Sequence, residues 1–266
     1  MPGILFDMDG VLYEGDRAIA GAADVVAWCR AQGIPHLFLT NTTSRARSDL
    51  AAKLARMGIA VEPEAILTPP VAAARWLREQ ASGPIALFVP EATREEFAGL
   101  PAVDPEYADH PAAVVIGDLG RGWNFELLNQ AFRLLMVEPR PQLVALGLTR
   151  YWRAPDGMRL DAGPFVKALE YAAGVCAVVL GKPAAPFFAA AQSLLGTAAG
   201  DTWMIGDDIR TDIEAAQRAG LRAILVKSGK YRPQDLALGV TPDAVLPAAA
   251  ALPEWWDKIY AASGQI

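Results

Sequence analysis

Gly3-Ile4-Leu5-Phe6-Asp7-Met8-Asp9-Gly10-Val11-Leu12 is the stretch from which the rest of the chain is read. Ile4, Leu5 and Phe6 form a short apolar run of the kind buried on both faces of a parallel sheet. The run stops at two acids one residue apart, Asp7 and Asp9, followed by a glycine. In extended backbone, positions two apart project to the same side, so both carboxylates are expected at the strand's carboxyl end. Gly10 permits a turn that other residues resist. In open α/β sheets, ligands bind beyond the carboxyl ends of the strands. Two acids gathered there repel each other unless a cation or a proton lies between them. The plainer alternative is a solvated strand end with a turn glycine, because Asp and Gly are ordinary turn residues.

The text around this stretch alternates. Ala22 to Arg30 reads as an amphipathic helix, Pro35 to Leu39 as a buried strand ending in Thr40-Asn41-Thr42-Thr43-Ser44, and Arg45 to Met57 as a helix. A short strand near Ala65–Leu67 and a helix from Val71 to Gln80 continue the series, which predicts parallel strands joined by crossover helices. Beyond Ala81-Ser82-Gly83-Pro84 the strands Ile85–Val89, Ala113–Ile116 and Gln142–Leu146 and the helix Asn124–Leu135 form a separate alternation. Asn124 is the expected N-cap of that helix. The Cys176–Leu180 strand, the Gly181-Lys182-Pro183 turn and the Thr202–Ile205 strand, with Gly206-Asp207-Asp208 after it, resume the first pattern. The fold class is therefore α/β. A Rossmann-like parallel sheet of residues 1–80 and 178–266 is interrupted by an inserted α/β domain, residues 81–177.

Composition narrows the function. Of 266 residues, 53% are apolar, which predicts a globular chain with a substantial core. A net charge of −6 discourages a nucleic-acid partner. No apolar run reaches the length of a membrane span and no signal peptide is evident, so a cytoplasmic protein is expected. Cys29 and Cys176 both sit in apolar stretches and read as buried free thiols. With only His36 and His110, a histidine-based metal centre is improbable.

Unusual residues thus fall at four strand ends: Asp7 and Asp9; Thr40 and Asn41; Lys182; and Asp207, Asp208 and Asp212. If the four strands are parallel in one sheet, these groups share one rim. Carboxylates without histidine or thiol suit a hard ion, Mg²⁺ above all, and a site for phosphoryl transfer. Each piece alone also reads as a turn, a cap or a solvated lysine. Their shared placement favours a site.

The set D-x-D-G, strand-T-N, G-K-P and G-D-D-x-x-x-D, in this order around a long insertion, resembles the haloacid dehalogenase-like hydrolases. The insertion point resembles that of the class IIA, NagD-like members, which carry an α/β cap there. Asp7–Tyr13, Leu39–Ser44 and Val226–Pro233 are most similar to the branch containing phospholysine phosphohistidine inorganic pyrophosphate phosphatase. The resemblance implies a phosphatase in which Asp7 is the nucleophile and Asp9 the general acid and base. It further implies that Thr40, the Asn41 main chain and Lys182 bind the phosphate. Mg²⁺ would be held by Asp7, the carbonyl of Asp9 and Asp207, with Asp208 and Asp212 acting around that set. It implies a small phosphorylated substrate (a phosphomonoester, pyrophosphate or phosphoramidate), while the apolar runs, all too short to span a bilayer, lead us to expect no membrane partner. Dimers are common in this class, which adds a homodimer. Cap closure is expected to hinge near Ser82-Gly83 and Val179-Gly181. Leu148-Thr149-Arg150 departs from the family's Asn-Pro-Asp-like turn, and Arg150, Tyr151, Trp152 and Asp161 are candidates for specificity. A phospho-accepting switch also places Asp, Thr and Lys at strand ends, but it needs neither Asp9 nor a cap.

Overall fold

The computed structural model describes residues 2–154 and 156–261, and the chain falls into two units. The first unit comprises Met1–Thr40, Arg47–Leu67 and Ala191–Ile266; the second comprises Asn41–Ala46 and Thr68–Ala190.

The first unit is built on a six-stranded sheet. Its order is Ala244–Leu246, Arg222–Val226, Thr202–Gly206, Gly3–Asp7, His36–Leu39 and Ile66–Leu67. All neighbours run parallel. Gly3–Asp7 is interior, with a partner on each side, and all five of its residues are buried. This is the burial that an uninterrupted apolar run requires. Phe6 and Phe38 stack at 5.8 Å and are fully buried, each contributing about 1.5–3 kcal/mol through loss of apolar surface from water. The strand Ala244–Leu246 and the helix Leu252–Ala261 were not legible in the sequence. That helix closes the core with Trp256 and with Tyr260, whose hydroxyl accepts a hydrogen bond from the buried Trp203 Nε1 at 2.8 Å.

The second unit holds a five-stranded sheet in the order Val178–Val179, Gln142–Ala145, Ala113–Ile116, Ile85–Phe88 and Ala102–Val103, again all parallel. Trp123 lies between Phe88 and Phe165 in its core, stacked on both. The helix Phe125–Leu135 begins where expected, with Asn124 Oδ1 accepting the Leu127 N–H at 2.8 Å. Tyr151–Ala154 and Gly157–Leu160 form an antiparallel hairpin absent from the sequence reading.

Three expectations need correction. Only Val178–Val179 of the Cys176–Leu180 segment is strand, and it pairs with Val144 and Ala145 of the second sheet rather than joining the first. The Leu180 N–H extends that pairing to the Ala145 carbonyl at 2.9 Å. The four functional strand ends therefore do not share one sheet. Second, the helix Pro69–Gln80 belongs to the second unit, where Arg78 donates to the Ala98 carbonyl at 3.0 Å. The chain passes between units after Thr40, Ala46, Leu67 and Ala190, whereas Ser82-Gly83 and Val179-Gly181 lie inside the second. Third, Cys176 is exposed, while Cys29 is buried and its thiol pKa is pushed up to about 12 by burial. Among the described residues no helix is long and apolar enough to cross a membrane.

Candidate active site

In the first unit Phe6 stands beside Ile205, so the two neighbouring strands end together, one in Asp7 and the other in Gly206 followed by Asp207. Asp212 comes from the next element, Ile209–Glu214, a single π-helical segment that runs into the short helix Ala215–Arg218. Such wide turns occur often at functional sites. Asp7, Asp207 and Asp212 are all buried, and one carboxylate oxygen of each lies within 4.8 Å of the others. Three carboxylates at that spacing, withdrawn from water, can all carry charge only with a cation among them. The donor set is oxygen only and anionic, which fits a hard divalent cation such as Mg²⁺.

Asp208 plays a different part. Its Oδ1 accepts the N–H groups of Arg210 at 2.9 Å and Thr211 at 3.0 Å, capping the π-helical turn. Burial opposes its charge. The N–H donors of Thr211 and Arg210 and the nearby Lys230 charge outweigh it, holding the carboxyl below the ordinary carboxylate range. The Asp208 N–H in turn donates to Asp212 Oδ2 at 3.3 Å, tying the cap to the cluster.

The main chain holds the Asp207 carboxylate on one side. Its Oδ2 accepts the Lys230 N–H at 2.6 Å. Gly10 (φ 89°) and Gly229 (φ 62°) press on the same oxygen, and a Cβ at either would stand 2.0 Å from it. Both the left-handed backbone and this approach demand glycine. Asp9, one residue before Gly10, keeps an exposed side chain.

Thr40 is buried at the end of strand His36–Leu39, its N–H bound to the Leu67 carbonyl at 3.2 Å. In the second unit Asn41 and Lys182 meet through the main chain of the lysine. Asn41 Nδ2 donates to the Lys182 carbonyl at 2.9 Å, and Asn41 Oδ1 accepts the Lys182 N–H at 2.8 Å. Lys182 itself is 7% exposed. Sequence reasoning valued Asn41 only for its backbone. Its side-chain brace reaches a partner 141 residues away and leaves no local signal.

The second unit also carries a cavity of about 360 Å³ lined by Asp118, Arg121, Trp152, Arg159, Leu160 and Phe165 among others. Trp152 and Tyr151 are 42% and 50% exposed, and Arg150 lies over the Tyr151 ring at 5.7 Å. Asp161 is the N-cap of helix Ala162–Ala173. Burial raises its carboxyl pKa against the opposing Ala162 N–H, and the Asp118 charge adds to the rise.

Comparison with known proteins gives a consistent result. Residues 4–100 match the family described as haloacid dehalogenase-like hydrolase, and residues 179–252 match the HAD-hydrolase-like family. The chain is 39% identical over 237 residues to the human phospholysine phosphohistidine inorganic pyrophosphate phosphatase, covering 88% of this chain and 85% of that one. Its fold is similar to the p-nitrophenyl phosphatase of Archaeoglobus fulgidus, with a TM-score of 0.86, 28% identity, and coverage of 96% and 98%. It is also similar to NagD of Escherichia coli K-12, with a TM-score of 0.84, 27% identity, and coverage of 94% and 97%.

Proposed function

This chain belongs to the haloacid dehalogenase-like hydrolases, in their NagD-like class IIA, and is a phosphatase; we propose that it uses Mg²⁺ and a phosphorylated Asp7. The observation that carries this reading is the buried cluster of Asp7, Asp207 and Asp212. Asp7, Asp207 and the Asp9 carbonyl, with Asp212, would hold the ion. When bound, it supplies the positive charge that lets an anionic phosphate approach an anionic carboxylate.

Asp7 attacks phosphorus as the bond to the leaving group breaks, giving an acyl phosphate on its own side chain. Asp9 protonates the departing atom, and its exposure leaves it free to reach that atom. In the second half-reaction Asp9 accepts a proton from water as the water attacks phosphorus, releasing phosphate and restoring Asp7. Thr40, the Asn41 N–H and Lys182 carry the phosphoryl oxygens, with Asn41's side chain fixing the lysine's backbone. The second unit corresponds to the cap of the family, and Arg150, Tyr151, Trp152 and Asp161 within it are the candidates we name for substrate selection. The likeness to the phospholysine phosphohistidine inorganic pyrophosphate phosphatase and to the p-nitrophenyl phosphatase supports small phosphomonoesters, pyrophosphate or phosphoramidates as substrates. The family resemblance supports a homodimer as the assembly.

The test is steady hydrolysis of p-nitrophenyl phosphate with Mg²⁺. We expect Asp7→Asn to lose it by about a thousandfold or more, on the scale of losing a nucleophile. One stoichiometric phosphorylation without turnover would instead identify a switch.

A further inference from the structure

We propose that Glu14 is a positioning residue for the metal site, acting through the loop at residues 228–230; this rests on the assignment of Asp207 as a Mg²⁺ ligand. Glu14 lies on a small antiparallel hairpin, Tyr13–Glu14 paired with Arg17–Ala18, and its side chain is exposed. Its Oε1 accepts the Gly229 N–H at 2.9 Å, and the next N–H in the chain, that of Lys230, is the one bound to Asp207 Oδ2 at 2.6 Å. Beside this link, Ser228 Oγ donates to the Gly10 carbonyl at 2.6 Å, and the Gly10 N–H donates to the Tyr13 carbonyl at 2.7 Å.

Two loops more than two hundred residues apart are thus latched together by Glu14 on one side and Ser228 on the other. Gly10 and Gly229, pressed together by the latch, confine the Asp207 carboxylate. The hairpin that carries Glu14 is anchored in turn. Lys53, on helix Arg47–Arg56, places Nζ 4.1 Å from the Tyr13 ring centroid and 3.6 Å from Asp16 Oδ1. A carboxylate held in one orientation loses less freedom when it binds an ion, so the latch raises metal affinity without touching metal.

The experiment is calorimetric titration of the metal-free full chain with MgCl₂, alongside turnover of p-nitrophenyl phosphate at varied Mg²⁺. Glu14→Ala should bind Mg²⁺ about tenfold more weakly, as for other groups that orient a ligand. Its turnover should fall at limiting Mg²⁺ and be recovered as Mg²⁺ is raised. Glu14→Gln keeps an acceptor oxygen for the Gly229 N–H and should remain within about threefold of wild type, since an exposed charge itself adds little. Glu14→Ala binding Mg²⁺ as tightly as wild type, or Glu14→Gln as weak as Glu14→Ala, overturns the latch. If Asp207→Asn abolishes binding while Glu14→Ala leaves it intact, only the latch fails. A wild-type chain that takes up no Mg²⁺ overturns the metal assignment as well.

Discussion

Asp7 is a buried carboxylate within reach of two others, and its neighbours Ile4, Leu5 and Phe6 are withdrawn from water. Carboxylates gathered at that spacing call for a cation among them, and in the mechanism we propose, that cation lets one acid act both as ligand and as nucleophile. His36 is the contrasting case of a titratable group with no place in the chemistry. Its Nδ1 lies 2.8 Å from the Ile34 carbonyl and its ring meets Phe38 edge-on at 5.5 Å. Burial lowers its pKa from 6.5; the Ile34 carbonyl opposes the shift and the Arg30 charge adds to it. Because folding lowers this pKa, the unfolded chain takes up the proton first. The stability held by neutral His36 is therefore full above pH 6.5 and is lost as pH falls through the folded value. Melting curves below pH 6.5 should show the wild type losing more stability than His36→Gln. Parallel curves for the two proteins would contradict the assignment.

At the scale of elements, turns and caps carry the site. Asn41 is the sharpest instance, since one side chain satisfies both main-chain groups of Lys182. Asn41→Ala should lower turnover by about ten- to a hundredfold, as for groups that orient a functional neighbour. The accompanying stability loss should be about 1–3 kcal/mol, the cost of leaving polar groups unsatisfied. Steady-state kinetics with a denaturant melt check both, and unchanged turnover would remove the brace from the account. The acid-bearing strand ends were legible because each depends on local grammar: an apolar run, an acid, a glycine. Asn124 was legible as a cap for the same reason, its partner being three residues away. Val178–Val179 was misassigned because a two-residue strand says nothing about which sheet it will edge. The hairpin of Tyr151–Ala154 and Gly157–Leu160 was missed because Tyr151, Trp152, Met158 and Leu160 are exposed, so its apolar residues do not mark a buried face as those of a half-buried strand would. Asp212 could be read as a first-turn acid, but its approach to Asp7 depends on the π-helical turn, which no periodicity announced.

For the whole molecule, the alternation of strand and helix gave the α/β class with parallel sheets, and the described residues form two units, each built on one such sheet. Parallel pairing of the first strand with Thr202–Gly206 is what brings position 7 beside positions 207 and 212, across nearly the full length of the chain. The central claim is that this gathering makes Asp7 able to accept a phosphoryl group. Enzyme quenched during turnover and reduced with borohydride tests it directly, since reduction converts an aspartyl phosphate to homoserine. Peptide mass spectrometry should find homoserine at position 7 in samples turning over with Mg²⁺ and unmodified aspartate without substrate. Homoserine at another aspartate, or none at position 7 during steady turnover, would contradict it.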